Sequence, residues 1–337
     1  MRSLNIVFVR KGQVEVLEEK VGLLSSNKIL CAAKKSLIST GTEIYCLKGI
    51  FGSGTNWAEM VKYPFYPGCG MSSVVLDVGK NVREFKVGDR VGFAGGQHKQ
   101  FFIARPSDLH KIPNNITYEE ATWASLALTT QIGVRFANII LGESVGIIGV
   151  GVLGQLVTQY VNILGASKII VIDKSNKRLN MAKRYGATHS ICGDAKLAIK
   201  DIKEITSGKM LDVIFDITGN PEVLTNAIGL LRKLGRLVLL GDTPTPAKQF
   251  LGPGVVSKAI KIIGVHGFIY PEKYSIFTPW TKETMISLFY EFIINKRMKV
   301  KNMITKYYSP VYAKKAYGDI IANRYDDIGI AFDWEKI

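Results

Sequence analysis

Apolar positions along this 337-residue chain follow two different rhythms. Up to about residue 115 they come in short β-branched runs broken by Gly, Pro and Asn, for example 73–78, 90–93 and 100–104. Residues 1–9 read as a strand as well, and 77–90 read as a strand, a turn and a return. Strands this short, with frequent turn signals, predict a small barrel or sandwich-like β domain. Thr117-Tyr118-Glu119-Glu120 then forms a capping box, a hydroxyl followed three residues later by Glu, ahead of a helix through Trp123 to about Asn138. Beyond it, strand-like runs at 145–148, 168–172, 212–215, 236–240 and 260–264 alternate with helix-compatible stretches. That alternation predicts βαβ units and a parallel sheet. After Tyr270 the pattern gives a helix over 281–295 and a strand over 328–332, which we expect to return to the first domain.

The stretch Gly149-Val150-Gly151-Val152-Leu153-Gly154 sits where the run 145–148 ends and a helix-compatible stretch begins. This is the strand–turn–helix setting in which G-x-G-x-x-G receives a dinucleotide. The first glycine permits the tight turn, the second lets backbone approach a pyrophosphate, and the third lets helix and strand pack closely. The helix N-terminus then faces the phosphates. The next strand ends in Asp173, 19 residues past the last glycine. An acid at that distance accepts ribose hydroxyls, and its charge repels a 2′-phosphate, which favours NAD over NADP. Lys174, Lys177 and Arg178 follow at once and could offset that repulsion. The alternative is a glycine-rich turn in another doubly wound domain, with Asp173 merely closing its strand.

Composition narrows the class. With 47% apolar and 21% charged residues the chain reads as a soluble globular protein, long enough for two cores. No window reaches the roughly 18–20 apolar residues of a membrane span, and the N-terminus lacks a secretory-signal pattern. A cytoplasmic location is the expectation. The net charge of +16 is spread along the chain rather than gathered in a basic block, so nucleic acid is not expected as a partner. Cys31, Cys46, Cys69 and Cys192 form no C-x-x-C pair and fit reduced thiols.

Beyond the glycine loop, Gly41-Thr42-Glu43, Pro67-Gly68 with Val78-Gly79, Val87-Gly88-Asp89-Arg90-Val91, the 178–187 helix, Asp216-Ile217-Thr218-Gly219 and Leu240-Gly241-Asp242 occur in order. In these motifs the chain resembles the medium-chain dehydrogenase/reductase family over essentially its whole length. The resemblance implies an α/β chain with an N-terminal GroES-like β-barrel catalytic domain (1–116 plus 270–337). It also implies a Rossmann doubly wound parallel-sheet domain (117–269). Hydride transfer in the cleft between domains and a homodimer or homotetramer are further implications. On the cofactor side it implies contacts from Gly149, Gly151, Val152, Leu153, Gly154, Asp173, Lys174, Arg178, Thr218, Gly219, Gly241, Val265 and His266.

Zinc-dependent members carry Cys-Gly-x-Asp-x-His and Gly-His-Glu segments. At the matching places this chain has Thr40-Gly41-Thr42-Glu43-Ile44-Tyr45 and Gly68-Cys69-Gly70, and no cysteine falls between Val91 and Pro113. Zinc needs three or four ligands at defined spacing; only Glu43 and Cys69 remain, with His98 as a possible helper. No zinc is expected, so a side chain must manage the proton at the reacting oxygen. Tyr45 is the first candidate, with Lys48 as a cation that could lower its pKa; the alternative is a packed aromatic. His98, on a glycine-bordered loop, is the second, its titration range suiting a relay; otherwise it is an exposed or backbone-bonded His. Glu43 either orients one of these groups or pairs as a structural carboxylate. Thr40 and Cys69 are candidate pocket residues, as are Asn56 and Trp57 on the 51–60 segment, unless that segment is a surface loop. Trp123 is a further candidate, unless it is a core Trp.

The reading is an NAD-dependent, zinc-independent oxidoreductase acting on a secondary alcohol or ketone of a polar, sugar- or cyclitol-like small molecule. The alternatives are a reductase of activated C=C bonds and a non-catalytic dinucleotide-binding protein.

Overall fold

β-branched residues at alternate positions start the chain as a hairpin, β1 (Arg2–Arg10) and β2 (Gln13–Lys20), turning at Gly12 with φ +76°. The chain continues through β3 (Ile29–Ile38), α1 (Thr42–Lys48), α2 (Asn56–Met60), β4 (Gly70–Val78), β5 (Arg90–Ala94), β6 (Phe101–Ala104) and β7 (Leu109–Lys111). Helices α3 (Tyr118–Ala121) and α4 (Ala124–Ala137) follow. Next come β8 (Ser144–Ile148), α5 (Val152–Ile163), β9 (Lys168–Asp173), α6 (Asn176–Arg184), β10 (His189–Cys192), α7 (Ile199–Ile205), β11 (Leu211–Asp216), α8 (Val223–Leu230), β12 (Leu231–Leu239) and β13 (Lys261–Gly264). The chain ends with α9 (Lys282–Ile294), β14 (Ile304–Tyr308), α10 (Ala313–Ala322) and β15 (Gly329–Asp333). The computed structural model describes residues 1–323 and 327–337.

Two compact units result, Met1–Ser125 with Ile286–Ile337, and Leu126–Met285. In the first, a seven-stranded sheet runs β14-β15-β3-β4-β5-β7, with β6 also on β3. β3 is its spine. β4 pairs along one edge, while β6 takes the first half of the other edge and β15 the second. The tail strand thus returns to the N-terminal sheet, with Phe332 opposite Ser36. Register shifts at Leu30/Cys31 and Ala33/Lys35 mark bulges, which bend a strand. The core gathers Phe8, Tyr317 and Phe332, with the Phe8 and Tyr317 rings edge to face at 5.0 Å.

The second unit holds a six-stranded, all-parallel sheet in the order β10-β9-β8-β11-β12-β13. Strands β8, β9 and β11 are almost wholly apolar and buried, as a sheet covered on both faces demands. Counted from β8, the order is 3-2-1-4-5-6, the doubly wound pattern whose switch point lies between the first and fourth strands. Ligands in such sheets bind at the carboxyl ends of those strands, here β8 and β11.

The helix expected from Thr117 to Asn138 is interrupted at Thr122–Trp123. The Thr122 hydroxyl donates to the Glu119 carbonyl at 2.7 Å, and the Trp123 N–H reaches back only three residues, to Glu120. A side chain competing for a backbone acceptor ends the first turn. The 51–60 segment contains α2, started by the Thr55 hydroxyl accepting from the Ala58 N–H.

Candidate active site

Three strand ends, of β8, β9 and β11, converge on the glycine loop of the second unit. The Gly149 N–H donates to Ile172 O at 2.9 Å, and the Ile217 N–H donates to Ile148 O at 3.1 Å. Gly149 holds φ +89°, and a Cβ there would sit 3.0 Å from Thr218 Cγ2. A Cβ on Gly154 would overlap the Gly149 carbonyl oxygen, which fixes the close packing of α5 on the loop. Gly151 is different. A Cβ there would meet only Arg178 Nη1, at 3.8 Å, so the position opens onto space bordered by a guanidinium. Gly151 caps α5 with no side chain, leaving the Val152 and Leu153 N–H groups without intrahelical acceptors.

Asp173 closes this cradle. Its Oδ2 accepts the Val150 N–H at 2.8 Å and its Oδ1 the Ser175 N–H at 2.9 Å, with the residue 7% exposed. Each oxygen keeps a further lone pair for a ribose hydroxyl. Lys174 turns away to Asp194, at 3.3 Å. Across the switch point, the Thr218 hydroxyl donates to Asp216 Oδ1 at 2.7 Å and accepts the Asn220 N–H at 3.1 Å. Gly219 lies at φ +61°, and a Cβ on Gly241 would sit 2.6 Å from Ile217 O. Val265 is half-buried and its N–H donates to Leu239 O, whereas His266 is exposed and lies against Phe268. Open space at Gly151, free helix-terminal donors and a buried acid fit a dinucleotide.

In the first unit the sheet and α10 bring five side chains together. His98 is wholly buried; its Nδ1 lies 2.8 Å from Ser36 Oγ and its Nε2 3.2 Å from Glu43 Oε2. The Tyr317 hydroxyl donates to the same Glu43 oxygen, the Ser39 N–H donates to Oε1 at 2.7 Å, and the Trp334 indole donates to Ser36 at 2.8 Å. Because a carboxylate only accepts, Nε2 presents a proton to Glu43. Burial, then the neighbouring Glu43, hold the Tyr317 phenol well above its usual pKa, so it stays a donor. The Phe332 ring stands edge to face on His98 at 5.0 Å.

The other candidates have varied settings. Tyr45 is half-buried on α1, its ring edge to face with Trp57 at 5.7 Å. Trp57 is buried on α2 and Asn56 is exposed. Thr40 is half-buried in the turn before α1. The Cys69 thiol donates to Leu37 O at 3.3 Å; burial first, then Glu43, push its pKa well up. Trp123 is fully buried, its ring against Gly329.

The description "Alcohol dehydrogenase GroES-like domain" matches residues 35–114, and "Zinc-binding dehydrogenase" matches 152–283. Sorbitol dehydrogenase of Bacillus subtilis (strain 168) is 29% identical over 248 residues, 64% of this chain and 69% of that one. The zinc-type alcohol dehydrogenase-like protein YdjJ of Escherichia coli (strain K12) is 26% identical over 322 residues, 83% and 87% of the two chains. The chain belongs to the medium-chain dehydrogenase/reductase family. It is an oxidoreductase with the GroES-like and Rossmann-like domains of alcohol dehydrogenases. In fold it is similar to ECK1772 of E. coli, an oxidoreductase/dehydrogenase of unknown specificity, with TM-score 0.84 and 21% identity over 99% of both chains. It is similar also to galactitol-1-phosphate dehydrogenase of E. coli, with TM-score 0.81 and 17% identity over 99% and 100%.

Among the described residues no group of three or more His, Cys, Asp or Glu is placed to hold a metal ion. No helix among them is long and apolar enough to cross a membrane. Sequence reasoning named Glu43 and His98 but missed Ser36, Tyr317 and Trp334. The one available signal was the expected return of the 328–332 strand, which brings Trp334 to the first sheet.

Proposed function

We propose that this chain is an NAD-dependent dehydrogenase of a polar secondary alcohol, or reductase of the corresponding ketone, working without zinc. The carrying observation is Asp173, a buried carboxylate tied to the glycine loop through Val150 and to the next helix through Ser175. A fixed negative charge there suits ribose hydroxyls and disfavours a 2′-phosphate. The pairing of Lys174 with Asp194 removes one cation that would offset it. Relatives named sorbitol dehydrogenase, L-threonine 3-dehydrogenase and D-guloside 3-dehydrogenase support a hydroxyl-rich or otherwise polar substrate.

When bound, the nicotinamide accepts or supplies a hydride. The chain supplies the rest. The N–H groups of Val152 and Leu153, with Arg178, bind the pyrophosphate, and Asp173 orients the adenosine ribose. Thr218, Gly219, Gly241, Val265 and His266 border the nicotinamide. The Tyr45 hydroxyl holds the proton exchanged at the substrate oxygen. Glu43 and His98 act as positioning residues: Glu43 grips the Ser39 N–H at the turn into α1, which carries Tyr45, and His98 holds Glu43. The supporting geometry for that division is that both His98 nitrogens are already engaged. Thr40, Cys69, Asn56 and Trp57 contact substrate, whereas Trp123, fully buried, serves the core. The expected assembly is a homodimer or homotetramer, read by light scattering on the purified protein.

The test follows absorbance at about 340 nm with a chelator present. NAD⁺ is offered with polyols and cyclitols, and reduced cofactor with ketones and enones. Chelator-resistant reduction of NAD⁺ by a polyol is the expected result. Turnover of enones alone would overturn the proposal in favour of a C=C reductase, and abolition by chelator would overturn the zinc-free part. Asp173→Ala should weaken NAD binding roughly 10- to 100-fold, from loss of hydrogen bonds to charge worth ~1.5–3 kcal/mol.

A further inference from the structure

Under the β1–β2 hairpin lies a cavity of about 470 Å³, bordered by the 93–103 segment and the end of β2. Its wall includes a cation, Lys99, and a carboxylate, Glu19, with Phe93 and Phe101 as apolar surface. The two charges are held in different ways. Glu19 accepts from the Tyr66 hydroxyl at 2.7 Å and from the amide of Asn5, which itself accepts from Ser3 at 2.7 Å. Asn5 and Ser3 are both almost fully buried, so this is a fixed polar floor rather than a solvated surface. Lys99 makes no ion pair among the described residues; its ammonium rests 4.5 Å from the centre of the Tyr66 ring. It is half-buried, and loss of water lowers its pKa although Glu19 pulls the other way.

A half-desolvated cation at a cavity wall, with only a ring face beneath it, is short of an anionic partner. Glu19 nearby has spare lone pairs and repels a purely anionic guest, so it favours a ligand that also brings a donor. The volume falls within the range of small-molecule pockets. We propose that this cavity is a second ligand site, distinct from the glycine cradle and from the Glu43–His98 cluster. It takes a small organic carboxylate with a flat apolar body and a hydroxyl or amino donor. The carboxylate pairs with Lys99, the body lies along Phe93 and Phe101, and the donor reaches Glu19.

The experiment is calorimetric titration of the full chain with 4-hydroxybenzoate and with its neutral counterpart, 4-hydroxybenzamide. Saturating NADH is present throughout and the titration is repeated without it. We expect binding of the acid at least tenfold tighter than the amide, unchanged by NADH. Lys99→Met should abolish it and Lys99→Arg retain it, both with wild-type circular dichroism. Absence of binding, equal binding of acid and amide, or wild-type affinity in Lys99→Met would overturn the proposal. Binding lost with NADH would place the ligand elsewhere and overturn it too. Should Lys99→Met fail to fold, the acid–amide ratio on wild type decides the question.

Discussion

The hydroxyl of Tyr317, on α10, donates to the same carboxylate oxygen of Glu43 that faces His98. Three separate segments of the chain therefore meet on one oxygen, and Ser39 holds the other. Glu43, His98 and Tyr317 are almost fully buried, so each donor removed leaves a charged acceptor short in a dry site. Tyr317→Phe deletes one hydroxyl and nothing else. We expect a loss of ~1–3 kcal/mol in urea unfolding, the usual cost of an unmade buried hydrogen bond. An unchanged midpoint would mean that Glu43 does not depend on Tyr317.

The glycines of the loop should separate fold from cofactor binding. Gly154→Ala pushes a methyl into the Gly149 carbonyl oxygen, which is backbone and cannot swing away. It should cost ~1–3 kcal/mol of stability by overpacking. Gly151→Ala meets only Arg178 at 3.8 Å, so thermal stability should stay near wild type while NAD affinity falls as the methyl enters the cradle. Equal melting temperatures for the two variants would contradict this division.

The fold was largely legible because periodicity is local. Runs such as 145–148 and 168–172 announce buried parallel strands in their own residues, and the glycine spacing with Asp173 announces the cradle. The break at Thr122 was not legible, since a threonine hydroxyl competes with the helix only in a particular rotamer. Nor was the clustering around Glu43. Tyr317 stands 274 positions away from Glu43 and Trp334 298 from Ser36, and no local pattern encodes which distant donor will reach a buried acid. For Lys174 the sequence left its role open, because its partner Asp194 belongs to the segment after the next strand.

That pairing bears on cofactor choice. Asp194 is held below the usual carboxylate pKa by the Lys196 N–H first and by Lys174 after it. Asp194→Ala frees the Lys174 ammonium beside the ribose acid. The ratio of NAD to NADP affinity should then fall by about fivefold, in line with an exposed ion pair worth up to ~1 kcal/mol. Fluorescence titration with both reduced cofactors reads the ratio directly. No change would show that Lys174 does not face the 2′ position.

Cysteine reactivity should be strongly graded. Burial pushes Cys31 and Cys46 up to about 12, and Cys69 is also raised, whereas Cys192 is exposed on β10. The thiolate is the nucleophile, so raised thiols stay protonated and inert near neutral pH. Iodoacetamide at pH 8 should label Cys192 first and Cys69 far more slowly, with Cys31 and Cys46 modified only after unfolding. Peptide mapping of early label on Cys69 would contradict its assignment as a half-buried thiol held protonated by its raised pKa.

Acid stability carries a further signature. Asp319, on α10, is pulled down to about 2, first by the Tyr308 hydroxyl at 2.6 Å and then by Lys315 and Lys306. An unfolded aspartate titrates near ~3.9. A carboxylate depressed on folding adds stability that is fully present above the unfolded value and lost as pH falls through the folded one. The melting-temperature gap between the native chain and Asp319→Asn should therefore be constant above pH ~5, shrink from pH ~4 and close near pH ~2. The side chain is on the surface, so the gap should also narrow in high salt. A gap that persists undiminished at pH ~2 would mean that Asp319 contributes through shape rather than through charge.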